Sequence, residues 1–288
     1  MNLYEETKYI LNKYQRKANK RLGQNFLIDE QVVNQIIDSA KIQKEDLVLE
    51  IGPGIGTLTK QLLEKAGKVI CIELDPDMIR IIEDRFSLYS NFECIHEDVL
   101  KVNLKEKIKE NSAQLKHVKI VANLPYYITT PIIMKLLEER LEVETITIMI
   151  QKEVAQRLLS KPGETTAGAI TYKIHYYTKP EMVCQVSKES FLPAPEVDST
   201  VIQLKVQKEP TIQVEREDLL FKLIKVSFAQ RRKTLINGLS NSGLFGEKKE
   251  IEELLKRNQL ELNIRGEKLT LEQFAKLAED LAKGEGKQ

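Results

Sequence analysis

The chain has 288 residues, 42% of them hydrophobic and 30% charged, enough for one large domain with a smaller companion and too apolar for a disordered chain. Forty-four basic residues against 43 acidic ones leave a net charge of +1, so overall charge does not announce a nucleic-acid partner. Three scattered cysteines and three scattered histidines make no CxxC pair and no metal-ligand spacing, so neither a disulfide framework nor a bound metal is expected.

The opening stretch MNLYEETKYILNKYQRK is too charged for a secretory signal, and no apolar run reaches the length that spans a bilayer. A cytoplasmic protein without membrane contact is expected. Residues 1–24 hold six bases (Lys8, Lys13, Arg16, Lys17, Lys20, Arg21) and two acids (Glu5, Glu6), a local charge of +4 on a helical extension. From about residue 44 short β-branched runs alternate with helical ones. DLVLEI (46–51), KVICIEL (68–74), FECIHED (92–98), VKIVANL (118–124) and TITIMI (145–150) read as strands. Between them GTLTKQLLEKA, PDMIRIIEDRF, TPIIMKLLEER and QKEVAQRLLS space their apolar residues as helices do.

Such alternation predicts right-handed crossovers and a mostly parallel sheet covered on both faces. After residue 161, KPEMVCQVS and DSTVIQLKV read as strands with no helix between them, which predicts an antiparallel addition at the sheet edge. Beyond about 208 the pattern is wholly helical: a single run from 216 to 240, then KKEIEELLKRNQL and TLEQFAKLAEDLAKG. The predicted domains are 1–207, an α/β sheet domain, and 208–288, a small all-helical one. QRRK (230–233) falls on the first of those helices, as a second basic cluster. Each cluster reads either as a solvated face or as a nucleic-acid footprint.

The chemistry gathers at strand ends. LEIGPGIGTLT closes the first strand of the alternation with Gly52, Gly54 and Gly56, which lets the backbone turn sharply and approach a ligand. Thr57 stands where the dinucleotide fingerprint has glycine. The second strand ends at Glu73, 21 residues after Gly52 (73 − 52), a spacing at which a carboxylate can accept from ribose hydroxyls. The third ends in Glu97-Asp98, where Asp98 can reach an adenine amino group. Taken singly each acid could equally be a helix cap; at consecutive strand ends they favour an adenosine ligand.

The fourth strand stops on NLPYY. The Asn123 amide oxygen and the Leu124 carbonyl can hold two hydrogens of an exocyclic amine, Pro125 fixes the turn, and Tyr126 offers a face to a flat base. Against a bare strand-to-helix turn, the glycines and acids favour an S-adenosylmethionine-dependent amino-group methyltransferase on a Rossmann-like class I sheet.

With these motifs the chain resembles the 16S ribosomal RNA adenine dimethyltransferases (the KsgA/RsmA type) from about residue 20 onward. In that resemblance RLGQNFLID (21–29) is the N-terminal cofactor motif, placing Asn25 and Leu27 at the methionine end of the cofactor. EIGPGIGTLT is the glycine loop, with Gly52, Gly54 and Gly56 at the cofactor; Glu73 is the ribose acid and Asp98 the adenine acid. NLPYYITTPI is the catalytic motif, in which Asn123 also touches the cofactor. FLPAPEVDST (191–200) supplies Phe191, which sandwiches the flipped base against Tyr126. The sequence departs from the pattern at Ala167, where an aromatic is usual.

The resemblance implies dimethylation of two adjacent adenosines near the 3′ end of 16S rRNA within an immature 30S subunit, by a monomer, with Arg21, Arg231, Arg232 and Lys233 touching RNA phosphates. Two alternatives remain: a 23S rRNA methyltransferase of the macrolide-resistance kind, and a non-catalytic assembly or transcription factor on the same fold. NLPYY, PEVDST and SFAQRRKTLINGL speak against the first, and the intact chemical positions against the second.

Overall fold

The computed structural model describes residues 1–19, 22–111 and 115–285. The chain forms two compact units, Met1–Ala155 with Pro180–Val206, and Gln156–Lys179 with Gln207–Gln288. The boundary expected at 207/208 therefore lies where the chain enters the second unit for the last time. Residues 156–179, assigned from sequence to the sheet domain, cluster with the helices instead.

In the first unit, α1 (Leu3–Lys13) starts on a capping box: the Asn2 side chain accepts from the Glu5 amide, and Glu5 returns the bond to the Asn2 amide. β1 (Phe26–Leu27) is followed by α2 (Glu30–Ala40), capped by Asp29. The alternation then runs β2 (Asp46–Ile51), α3 (Thr57–Lys65), β3 (Lys68–Glu73), α4 (Pro76–Phe86), β4 (Phe92–His96), α5 (Leu104–Asn111), β5 (His117–Asn123), α6 (Thr129–Glu138) and β6 (Thr145–Gln151), and α7 (Lys152–Leu159) begins in this unit and ends in the second. α4 begins with Asp75 as cap and Pro76 in its first turn, the position where a proline costs no hydrogen bond.

α8 (Ala169–Tyr177) comes next, then β7 (Thr178–Val186), β8 (Phe191–Leu192) and β9 (Ser199–Val206). Among the described residues the main sheet has seven strands, in the order β4-β3-β2-β5-β6-β9-β7. The first five are parallel and β9 runs antiparallel to β6, which is the edge addition expected from sequence. β2 is buried along its whole length, as a central strand covered on both faces must be. A separate ladder joins β1 to β8, pairing Phe26 with Leu192 and Leu27 with Phe191.

The second unit packs α8 with α9 (Glu217–Ala229), α10 (Leu235–Ser242), α11 (Lys248–Arg257) and α12 (Leu271–Glu285). The long helix predicted from 216 to 240 is two helices. α9 ends at Gln230, whose φ of −128° and ψ of 58° leave the helical region, and Thr234 caps α10. QRRK is therefore a turn. Ala167, buried beside Tyr172 and Tyr176, belongs to this unit's apolar core.

Candidate active site

β3 and β4 extend the sheet to one side of β2, and the chain then returns to lay β5 on the other. At such a switch point the turns leaving the strand ends diverge and open a crevice. An open cleft lies there, lined from the ends of β2, β3, β4 and β5, where a sheet of this kind takes its small-molecule ligand. Asn25, Leu27, Gly52, Gly54, Glu73, Asp98, Asn123, Leu124, Pro125 and Tyr126 all line it.

The glycine turn is held from beneath and behind. Gly54 has a φ of +57°, and a Cβ there would stand 3.3 Å from the buried ring of Phe26, so the turn needs glycine twice over. Its amide donates to Oε2 of Glu73 at 3.2 Å, while Oε1 accepts from the amides of Leu74 (2.8 Å) and Asp75 (2.9 Å). Glu73 thus ties the glycine turn to the start of α4. Burial pushes its carboxyl above the usual range, opposed by those three amides. One oxygen of Asp98 accepts from the Leu100 amide at 2.9 Å, which fixes the carboxylate at the cleft wall with its second oxygen to offer.

On the other wall, Asn123 Nδ2 donates to the carbonyl of Asn25 at 3.3 Å. That bond orients the amide, so its oxygen is the acceptor left for a ligand. The turn after it is closed by Ile128 N and Thr129 Oγ1, both donating to the Pro125 carbonyl (3.2 and 3.0 Å). Tyr126 shares a 2.6 Å hydrogen bond with Ser199 Oγ, and burial raises its phenol pKa, so it is neutral at physiological pH.

Two residues expected at the cleft lie elsewhere. Gly56 does not reach the cleft; it opens α3, and a Cβ on it would stand 2.4 Å from the ring of Phe86. Phe191 does not close over a base opposite Tyr126. Its ring is 3% exposed, in the buried cluster that also holds Leu27, Val121 and Met149, and it is not among the residues lining the cleft. Arg231 is already engaged within the second unit: it donates to Glu267 at 3.1 Å and to the carbonyls of Thr165 and Ala167 at 2.9 and 3.2 Å. Arg232 and Lys233 stand exposed on the turn. Arg21 lies outside the described residues.

Several lining residues carry no sequence signal of their own. Leu74 and Val99 follow the two strand-end acids and give that end of the cleft apolar faces. Gln24 donates to Asp75 Oδ2 at 2.7 Å, anchoring the segment before β1 to the cap of α4. Glu50 lines the cleft from within β2, almost wholly buried, accepting from Thr59 Oγ1 at 2.6 Å and from Cys71 Sγ at 3.4 Å. Burial pushes its carboxyl up to about 7. Among the described residues, the lining has four carboxyl groups (Glu50, Glu73, Glu97, Asp98) and no Lys, Arg or His. Such a wall suits a cationic or hydroxyl-bearing ligand and repels a pyrophosphate. No cluster of His, Cys, Asp and Glu among the described residues could hold a metal.

Residues 15–283 match the family described as ribosomal RNA adenine dimethylase. A protein of Alkaliphilus oremlandii named ribosomal RNA small subunit methyltransferase A is 46% identical over 279 residues, covering 97% of each chain. One of the same name from Lachnoclostridium phytofermentans is 50% identical, covering 96% of this chain and 95% of its own. Among solved structures, a dimethyladenosine transferase from Plasmodium falciparum superposes with a TM-score of 0.76 at 29% identity, over 90% of this chain and 98% of its own. The 23S rRNA methyltransferase ErmE superposes with a TM-score of 0.68 at 24% identity, over 90% and 100%, a likeness of fold.

Proposed function

The chain belongs to the ribosomal RNA adenine dimethylase family, and from that premise we propose how its cleft carries out S-adenosylmethionine-dependent dimethylation of adenine amino groups in small-subunit ribosomal RNA. One observation carries the reading. The cleft walled by carboxyl groups, with no cationic side chain among the described residues, ends on an oriented asparagine amide and a tyrosine face. A sulfonium ligand with an ammonium and a ribose fits such a wall, and Thr57 stands where a dinucleotide fingerprint has its third glycine.

When bound, S-adenosylmethionine supplies a methyl group on a positively charged sulfur. Asn25, Leu27, Gly52 and Gly54 take its methionine side, Glu73 the ribose, and Asp98 with Leu74 and Val99 the adenine ring. Asn123 stands where these contacts meet the substrate. Its oxygen and the Leu124 carbonyl accept the two hydrogens of the target amine, turning a lone pair otherwise delocalised into the ring out toward the methyl donor. Tyr126, held by Ser199, gives the base a stacking face. Positioning and charge complementarity then supply most of the acceleration, and the proton leaves after transfer without a dedicated base. The second methylation requires the once-methylated amine to sit with one hydrogen bond fewer. Phe191 acts from behind, as the packing support of Leu27.

The substrate is 16S rRNA in an immature 30S subunit, the two adjacent adenosines near its 3′ end are the targets, and the protein acts as a monomer in the cytoplasm. The family membership and the full-length relatives named for small-subunit rRNA support this over a 23S substrate. No helix among the described residues is long and apolar enough to cross a membrane. Arg21, Arg232 and Lys233 are the phosphate contacts. The test offers labelled S-adenosylmethionine with immature 30S particles and protein-free 23S RNA side by side. Label recovered as dimethyladenosine in 16S RNA, and absent with Asn123→Ala, is the expected result. Label in 23S RNA alone, or in neither, sinks the reading.

A further inference from the structure

The motif at the end of β5 carries two consecutive tyrosines with opposite fates. Tyr126 is half-buried with its hydroxyl held by Ser199. Tyr127 is 57% exposed, and its hydroxyl has no hydrogen-bond partner among the described residues. Tyr172 and Tyr176 of the helical unit are by contrast fully buried. An aromatic ring left in water forgoes the stabilisation of burial, and here it does so at the wall of the cleft that holds Asn123 and Tyr126.

The ring is displayed on a firm base. A Cβ at Gly23 would stand 3.4 Å from Tyr127 Cδ1 and 3.8 Å from Cε1, so the ring is backed by a backbone with no side chain between. Its own backbone sits in the turn closed by the two hydrogen bonds onto the Pro125 carbonyl. A flat, backed, half-open aromatic surface beside a pocket for one base has a natural ligand. When an adenine is drawn out of a strand, the neighbouring base loses a stacking partner and presents a bare face.

We propose that Tyr127 is the stacking platform of a second nucleotide subsite, which takes the base flanking the target adenine while that adenine lies against Tyr126. This rests on the reading of the cleft as an RNA adenine site. Stacking on an aromatic ring tolerates any base and needs the ring, not the hydroxyl. The subsite therefore strengthens RNA binding without selecting sequence and without touching the cofactor.

The experiment measures kcat and KM for immature 30S particles at saturating S-adenosylmethionine, and the Kd of the free enzyme for S-adenosylhomocysteine by calorimetry. It compares the unaltered protein, Tyr127→Ala and Tyr127→Phe. The expected result is a KM for particles roughly ten-fold higher in Tyr127→Ala, a cofactor Kd within two-fold, and restoration of KM by Tyr127→Phe. An unchanged KM in Tyr127→Ala overturns the proposal. So does a weakened cofactor Kd, alone or with KM, because the ring then serves only to hold the Gly23 segment beside the cofactor. Retention of the defect in Tyr127→Phe overturns it as well, by assigning the effect to the hydroxyl. Failure of the unaltered protein to methylate particles would count against the reading of the cleft instead, and is seen separately.

Discussion

Asn123 is asked to do two things with one amide, and its geometry says which atom does which. Nδ2 is taken by the Asn25 carbonyl, so the oxygen is the end presented to a substrate amine. Asn123→Ala should lower kcat by about 10²–10³, the range found when one preorganised polar group is removed from a site of developing charge, with RNA particles still bound. A filter-binding assay beside the transfer assay checks this; loss of particle binding would mean that the amide acts in recognition alone. The Tyr126–Ser199 pair makes a second prediction at this scale. If the hydroxyl of Ser199 matters only by holding the phenol, Ser199→Ala and Tyr126→Phe should each raise the KM for particles a few-fold, and the double variant no further. Additive effects would show that the two residues act independently.

Elements place these residues, and the bonds between elements are testable. At the end of the sheet opposite the cleft, Lys119 of β5 lies 2.9 Å from Asp46 of β2, both buried, and Lys119 also donates to the Lys41 carbonyl at 2.7 Å. Asp46→Ala leaves the buried Lys119 with only the Lys41 carbonyl and, at 4.0 Å, Glu144, so it should cost about 3 kcal/mol, the low end for a broken buried pair, and removing both charges should recover part of the loss. Denaturant titration of the single and double variants reads this directly. Gly56→Ala should cost roughly 2–4 kcal/mol without altering the cleft, because an alanine there is strained at a φ of +86° and meets Phe86. The parallel strands that hold the site were legible in the sequence because their burial is written as β-branched runs, each broken by a glycine, an acid or an asparagine. β1 and β8 were not, since two residues have no period, and the burial of Phe191 beside that short ladder is a matter of packing. α8 was also missed. Its AITYKIHYY is β-branched and aromatic, and it is helical through context: Thr171 Oγ1 accepts from the Gly168 amide at its start, and Tyr172 and Tyr176, about one helical turn apart, pack into the core. Strand-end chemistry was readable from Gly52, Gly54, Glu73, Asp98 and Asn123, whereas Leu74 and Val99 line the cleft through position, which no residue type announces.

At the scale of the whole molecule, the cleft carboxyls should leave a mark on the unfolding equilibrium. Glu50 titrates near 7 in the folded chain, because burial raises it more than Thr59 and Cys71 lower it, against about 4.5 when exposed. Between those two values the folded state keeps a proton that the unfolded state has lost. Stability therefore falls as pH rises through this window, and the loss is complete above 7. With 1.36 kcal/mol per pKa unit the cost is on the order of 3 kcal/mol. Glu73, raised by its own burial, acts in the same direction. His175 acts in the opposite one. Burial lowers its pKa, so the folded state favours the neutral ring, and its contribution is lost as pH falls through the imidazole range. Because these terms overlap, the total profile is a sum, and a difference isolates the one of interest. Glu50→Gln keeps the shape and removes the titration. Relative to the unaltered protein, it should be the more stable of the two at pH 8 and gain less, or nothing, at pH 5, by guanidinium denaturation at both pH values. A difference that stays constant between pH 5 and pH 8 would mean that Glu50 is ionised throughout, and that the folded chain tolerates a bare carboxylate beneath the glycine turn.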